Sequence, residues 1–398
     1  MSRNSYSAVL TYKSFVQSWQ DLFHNTKPVS RNTIGVDGVS INDFAINYKD
    51  NIGKLHRAVS EKRFSFSQLK PVLILKPSGK YRLICVPTVI DRLVQRTLLG
   101  FLANKYHLQL ANSISFGFVK GRSVKQAAEL ACAYRRKQAW VFKTDITSFF
   151  DSVDREILSS AIKKRIKERS LHPLLLSALE CEVESSNRAN VRRIAQLGIR
   201  RGIGVRQGMP LSPFFSNLLL QSFDKAVEKK GFRAVRYADD LIFFCDSRVD
   251  CLSVADFCKA EFEKIGLAIP ALNDEKTKSV IYEPLQPAEF LGLELAPVQK
   301  AYELRLSEKQ IQRLREEMLN YGSVKELLSR GITLATLGSK LSAKKNGYLA
   351  AYDVCRNIEH VHNELKDIER KCLLKIYQQD LNINIPSLKA EAHTFLGL

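Results

Sequence analysis

Three aspartates stand out for what surrounds them. Asp145 ends the strand-like part of the run VFKTDITSFFD, and Asp239 and Asp240 sit together in RAVRYADDLIFFC. Apolar, β-prone residues flank each of them, so the carboxylates are expected at strand ends in apolar surroundings. A charge held there is costly unless a cation or water takes it. Carboxylates are hard oxygen donors suited to divalent cations. If the fold joined Asp145 to Asp239, the pair could hold two divalent ions roughly 4 Å apart, which lower the pKa of an attacking hydroxyl and stabilise a leaving phosphate. The two lie far apart in the chain, so only tertiary structure can bring them together. For two acids on a hairpin plain solvation is the commoner fate, and residue type alone leaves that reading open.

The elements that would position them follow from periodicity. Residues 70–86 read as two short strands around a Pro-Ser-Gly turn, with Lys76, Lys80 and Arg82 along the hairpin. Residues 88–103 carry apolar side chains at helical spacing. Trp140–Ile146 is a strand candidate ending in an acid, and Asp154 is a suitable N-cap for a helix through Ile162. Residues 233–245 read as a buried hairpin, with Val235, Tyr237, Leu241 and Phe243 on alternating positions and Ala-Asp-Asp as its turn. Ile311, Leu314, Met318 and Leu319 trace one helical face. Ile358, Val361, Leu365, Ile368, Cys372 and Ile376 trace another, so the last 90 or so residues form a helical lobe. The expected class is α+β.

The chain has 398 residues, 61 Lys+Arg against 41 Asp+Glu, and 45% hydrophobic residues. That composition excludes a disordered tail and, at +20, implies a polyanionic partner, with nucleic acid favoured over an anionic membrane surface. The charge is uneven: +13 over residues 1–160, +7 over 161–206, −3 over 207–300 and +3 over 301–398. Such a balance suits one lobe that grips phosphate and another that gathers carboxylates, although solvated helix faces would produce it too. No apolar run is long enough for a membrane span, and the start has no signal-peptide pattern, so a cytoplasmic protein without membrane contact is expected. The eight cysteines contain no C-x-x-C pair and read as small core hydrophobes.

The words around the aspartates resemble those of the reverse transcriptases, in matching order from about residue 34 to about residue 295. FKTDITSFFD resembles the first catalytic motif, RQGMPLSP at 206–213 the second, YADD at 237–240 the Y-x-D-D box and FLGLEL at 290–295 the primer grip. Upstream, GVDGVSINDF (35–44), YRLICVPTVIDRLVQRTL (81–98) and FGFVKGRS (116–123) resemble finger elements of the bacterial branch related to group II introns. The resemblance implies a right-hand polymerase with fingers over 1–138, a palm over 139–300 holding a basic insertion at about 161–206, and a helical thumb over 301–398.

It also implies roles. Asp145 and Asp239 would bind two Mg²⁺ ions, with Mn²⁺ as a substitute, and Asp240 would be the neighbouring acid. Lys76 and Arg82 would hold the triphosphate, and Gln207 and Gly208 would lie along the incoming dNTP. Phe150 matches the steric gate against a 2′-hydroxyl, and Lys276 the lysine that protonates departing pyrophosphate. Arg122, Ser123, Tyr237, Leu291 and Gly292 would lie near template or primer. The basic 161–206 stretch is read as a rail for RNA or an RNA–DNA duplex. With no zinc or H-N-H endonuclease, RNase H or protease segment recognisable, and without the N-A-x-x-H and V-T-G words of retron enzymes, the chain is most similar to free-standing bacterial enzymes. Many of those copy a dedicated non-coding RNA in anti-phage defence. Untemplated or protein-primed synthesis at the same site, and a maturase-like RNA-binding scaffold, are the alternatives. A homo-oligomer or a partner protein stays open.

Overall fold

The computed structural model describes residues 5–76, 79, 81–110, 112–185, 188–272, 278–299 and 301–397. Its strands form three antiparallel sheets among the described residues. β1 (Lys70–Leu75) and β2 (Tyr81–Val86) make the expected hairpin. The central sheet uses β3 (Trp140–Asp145), β4 (Arg233–Tyr237), β5 (Asp240–Cys245) and β6 (Val280–Tyr282), in the order β4-β5-β3-β6. β7 (Ala288–Phe290), β8 (Leu293–Val298) and β9 (Ala301–Arg305) follow as a meander.

The central sheet is covered on both faces, for a reason visible in its residues. Strand side chains alternate between faces. Phe142, Ala234, Leu241 and Phe243 join a core with the N-terminal helices, whereas Val141, Val235, Ile242 and Phe244 join a second core with β7–β9 and the C-terminal helices. A strand such as LIFFC is apolar at every position and has to be buried on each side. The alternation expected for the 233–245 hairpin is therefore only half of its pattern. Its turn is also shorter than expected: Tyr237 pairs with Asp240, leaving Ala238 and Asp239 as a two-residue turn with Ala238 at φ 58°. Asp240 belongs to the strand.

Helices stand near where periodicity placed them. Val89–Leu110 follows β2, and Arg155–Arg165 starts at Asp154, whose carboxylate accepts from the amides of Glu156 (2.8 Å) and Ile157 (3.0 Å). Glu308–Leu319 buries Ile311, Leu314 and Met318, but Leu319 is half exposed. Ile358–Lys375 buries Val361, Leu365, Ile368 and Cys372 against it. No helix among the described residues is long and apolar enough to cross a membrane. All eight cysteines are buried, without disulfides.

Candidate active site

The pairing of β3 with β5 sets Asp145 directly opposite Asp240, and the Ile146 amide donates to the Asp239 carbonyl at 3.2 Å. Two segments distant in sequence thus deliver three carboxylates to one end of the central sheet. Burial pushes the Asp239 and Asp240 carboxyls above their ordinary range, and the charge of Asp145 pushes them the same way. Lys278 ion-pairs with Asp145. Burial works against that ammonium, but its bond to Asp145 and the charges of Asp240 and Asp239 outweigh burial and raise it. A cation is therefore already drawn to the point where the carboxylates meet.

Among the described residues no group of three or more His, Cys, Asp or Glu side chains is gathered to enclose an ion. Paired carboxylates without a cage nonetheless fit Mg²⁺, which is commonly held by one or two carboxylates together with substrate phosphates and waters. Lys276 lies outside the described residues. Lys278, which the sequence reading passed over, owes its place to register: Val280 pairs with Lys143, so the same ladder continued leads from Ser279 beside Thr144 (2.7 Å between hydroxyls) to Lys278 beside Asp145.

The two-residue turn is held from behind. Arg236 and Asp224, each 1% exposed, form a bidentate ion pair at 2.7 and 2.6 Å. Arg236 spends its remaining donors on the Ala238 carbonyl (3.0 Å), the Ser115 hydroxyl (2.8 Å) and Asn217 Oδ1 (3.3 Å). Gly117 closes the other side: a Cβ there would fall 2.3 Å from the Ala238 nitrogen. Gly117→Ala is expected to force the turn outward and destabilise the protein by about 1–3 kcal/mol, the usual range for overpacking. Thermal unfolding checks it, and an unchanged melting temperature would refute the contact.

The β1–β2 hairpin docks onto the second motif. Arg82 Nε donates to Gln207 Oε1 at 2.6 Å, and the Cys85 amide donates to the Gln207 carbonyl at 2.7 Å. Gly208 has φ 104°, and a Cβ there would sit 2.3 Å from the Cys85 carbonyl oxygen, so backbone contact requires glycine. Half-buried Asp151 has its carboxyl pushed up by partial burial, against the opposing fields of Arg206, Lys76 and Arg82. Arg82 also acts on Asp239. Arg82, bonded to Gln207, thus acts on both Asp239 and Asp151, and Lys76 acts on Asp151. Half-buried Phe150 packs on Phe149 (ring centroids 5.2 Å), and its carbonyl accepts from the Val205 amide at 2.7 Å.

The remaining candidates have visible structural work. Arg122 donates to the Ser115 carbonyl and lies 4.7 Å over the Phe116 ring. Ser123 caps the helix Val124–Arg135 in a capping box with Gln126. Tyr237 is half-buried opposite Asp240, whereas Leu291 and Gly292, with φ 53° and 79°, form the tight β7–β8 turn on the separate three-stranded sheet. The 161–206 stretch divides. Lys163, Lys164, Lys167, Arg169, Arg200 and Arg201 are exposed, but Arg206 pairs with Glu182 at 2.7 Å beside Arg155 at 2.8 Å, and Arg165 donates to the Leu218 carbonyl.

Residues 74–295, more than half of the chain, match the family described as reverse transcriptase (RNA-dependent DNA polymerase). The chain belongs to that family. Its α+β architecture is accordingly the right-hand polymerase fold. Similar proteins to this reverse transcriptase relative include Protein YkfC of Escherichia coli K12, 26% identical over 205 residues, covering 50% of this chain and 51% of that protein. The putative COX1/OXI3 intron 2 protein of Saccharomyces cerevisiae is 27% identical over 202 residues, 50% of this chain and 21% of its own length. The retron Ec83 reverse transcriptase of Escherichia coli is 26% identical over 179 residues, 44% and 52% respectively. The chain spans about half the length of the two bacterial relatives and about a fifth of the yeast protein. A retron enzyme thus stands beside the intron proteins despite the absence of the retron words from this sequence.

Proposed function

We propose that the chain is an RNA-directed DNA polymerase that adds dNTPs to a primer 3′-hydroxyl, with fingers over 1–138, palm over 139–300 and thumb over 301–398. The observation that carries this reading is the convergence of Asp145, Asp239 and Asp240 at one sheet end, facing the field of Arg82 on the docked hairpin. Asp145 and Asp239 would hold two Mg²⁺ ions, which would supply activation of the primer hydroxyl and neutralisation of charge on the triphosphate.

The chain's own residues do the rest. Arg82 presents a fork of donors and Lys76 a point charge to the triphosphate. Gln207 fixes the Arg82 fork, and the backbone at Gly208 lets the nucleotide lie close. Asp240 sustains the negative field from its strand position. Lys278 neutralises Asp145 until the site is filled. The Phe150 ring fills the space beneath the sugar. Phe150→Val should raise rNTP use relative to dNTP by about 10–200-fold, the scale of a small steric change in a binding pocket. Competitive incorporation of labelled rNTP and dNTP measures it, and unchanged discrimination would remove Phe150 from the gate.

The exposed cations of 161–206 supply a track for an RNA or RNA–DNA backbone. The likeness to retron and intron proteins supports a dedicated non-coding RNA as template, and we read the setting as bacterial anti-phage defence. The test is to purify the protein with its native nucleic acid, add Mg²⁺ and labelled dNTPs without template, and sequence the product. A discrete DNA matching a copurified RNA supports templated copying. Repetitive DNA with no matching RNA would replace it with untemplated synthesis.

A further inference from the structure

Glu182 is an acid inside the basic 161–206 stretch, and its half-buried carboxylate is shared by several donors. Arg155 Nη1, at the start of the helix Arg155–Arg165, donates to Oε1 at 2.8 Å, and the Gly202 amide donates to the same oxygen at 2.7 Å. Arg206 Nη2 donates to Oε2 at 2.7 Å. Burial works against the carboxylate, but the Gly202 amide and Arg206 outweigh it and hold the acid below its ordinary range. The two guanidiniums repel each other and Arg206 is only 2% exposed, so the shared carboxylate is what lets them lie side by side.

The same residue engages the β1–β2 hairpin through its backbone. The Leu69 amide donates to the Glu182 carbonyl at 2.9 Å and the Glu184 amide to the Leu69 carbonyl at 2.9 Å, a parallel bridge immediately before β1. Its side chain meanwhile fixes Arg206, the residue before Gln207, whose carbonyl and side chain hold Cys85 and Arg82 on β2. On the other flank Arg155 Nε donates to the Gly204 carbonyl at 2.8 Å, the Gly204 amide donates to the Val153 carbonyl at 2.8 Å, and the Val205 amide reaches the Phe150 carbonyl. Gly204 has φ 82°, and a Cβ there would sit 2.7 Å from the Phe150 carbonyl oxygen, so this close approach requires glycine.

We propose that Glu182 is a positioning residue for the incoming nucleotide. By gathering Arg155, Arg206 and Gly202 and bracing the base of β1, it sets Arg82 and Gln207 on one side of the pocket and Phe150 on the other. Donors already fixed in place bind a triphosphate without first being ordered, and that ordering cost would otherwise weaken nucleotide binding. The inference rests on the reading of Arg82, Gln207 and Phe150 as the nucleotide-binding side. It gives the 161–206 segment a task besides the proposed RNA track.

Glu182→Gln keeps the size but sets an amide donor against one of the arginines. Glu182→Asp keeps the charge that both guanidiniums need, so it should fold even where Glu182→Gln does not, and shortens the arm by one methylene. Tyr106→Phe is the structural control in the same segment, because it removes a hydroxyl that donates to Glu168 at 2.6 Å and accepts from the Lys167 amide at 2.7 Å. Primer extension is measured against dNTP and rNTP concentration, at a temperature where melting shows each variant folded. KM for dNTP should rise about tenfold in Glu182→Gln and about threefold in Glu182→Asp with kcat within about twofold, the scale of one misplaced charge-assisted hydrogen bond. Discrimination against rNTP should fall in the same order. Tyr106→Phe should melt lower and keep the wild-type KM. Unchanged KM and discrimination in the folded Glu182 variants, or an equal KM rise in Tyr106→Phe, would overturn the proposal, since Glu182 would then be structural. A wild type that incorporates no dNTP would instead remove the reading of the site itself.

Discussion

Asp239→Ala and Asp145→Ala are each expected to reduce dNTP incorporation by about a thousandfold or more, while RNA binding should stay within about twofold of wild type. The size follows from chemistry: metal-assisted displacement gains several kcal/mol, and about 1.4 kcal/mol is a factor of ten in rate. Asp145 ends β3 and Asp239 lies in the turn between β4 and β5, both at one end of the sheet, so neither substitutes for the other. Asp145→Ala also releases Lys278, leaving its ammonium beside Asp239 and Asp240 alone. Binding should persist, since the exposed cations of 161–206 proposed to carry it lie on other elements. Primer extension on an RNA template measures the first quantity and fluorescence anisotropy the second. Robust synthesis by both variants would sink the assignment of the site. Loss of synthesis with full biological effect would favour the RNA-binding scaffold.

Asp224→Ala is the second large effect, and it acts on stability. It leaves the Arg236 guanidinium charged and 1% exposed, with its bidentate partner gone and Asn112 also deprived of an acceptor. Removing one partner of a buried ion pair costs about 3–5 kcal/mol because the other charge stays uncompensated. Urea unfolding should show that loss at constant m-value. The double variant Asp224→Leu with Arg236→Met should regain most of the stability, since replacing both charges by apolar groups is often neutral. It should not regain polymerase activity, because the Ala238 carbonyl beside Asp239 loses its donor. A cost for Asp224→Ala below about 1 kcal/mol would show that water reaches the pair and that the turn is held some other way.

Much of this site was legible before any fold was known. Apolar runs ending in Asp145 and at Tyr237-Ala238-Asp239-Asp240 marked strand ends, because few other settings put carboxylates after such residues. Asp154 as an N-cap and the β1–β2 hairpin were readable for the same reason: caps and turns are local, and the residues that make them are adjacent in sequence. The two-sided burial of the central hairpin was only partly visible, since alternation and a continuous apolar run overlap in so short a segment.

What was hidden depends on distance along the chain. Lys278 reaches Asp145 through the β3–β6 register, and Lys276, two residues earlier, looks as good to any local reading. Arg236 resembles one more cation beside a nucleic-acid motif, yet it is consumed by Asp224 and the Ala238 carbonyl. Arg122 is likewise engaged by Ser115 and Phe116. Arg92 and Arg96 show the reverse: charges that look ordinary on a helix keep buried guanidinium nitrogens without a hydrogen-bond partner. Residue type and spacing set which groups were available and which local elements carried them. Which charges ended paired, buried or free was settled by long-range strand register and helix packing, because Coulombic and hydrogen-bond energies depend on separations in space that sequence distance does not encode.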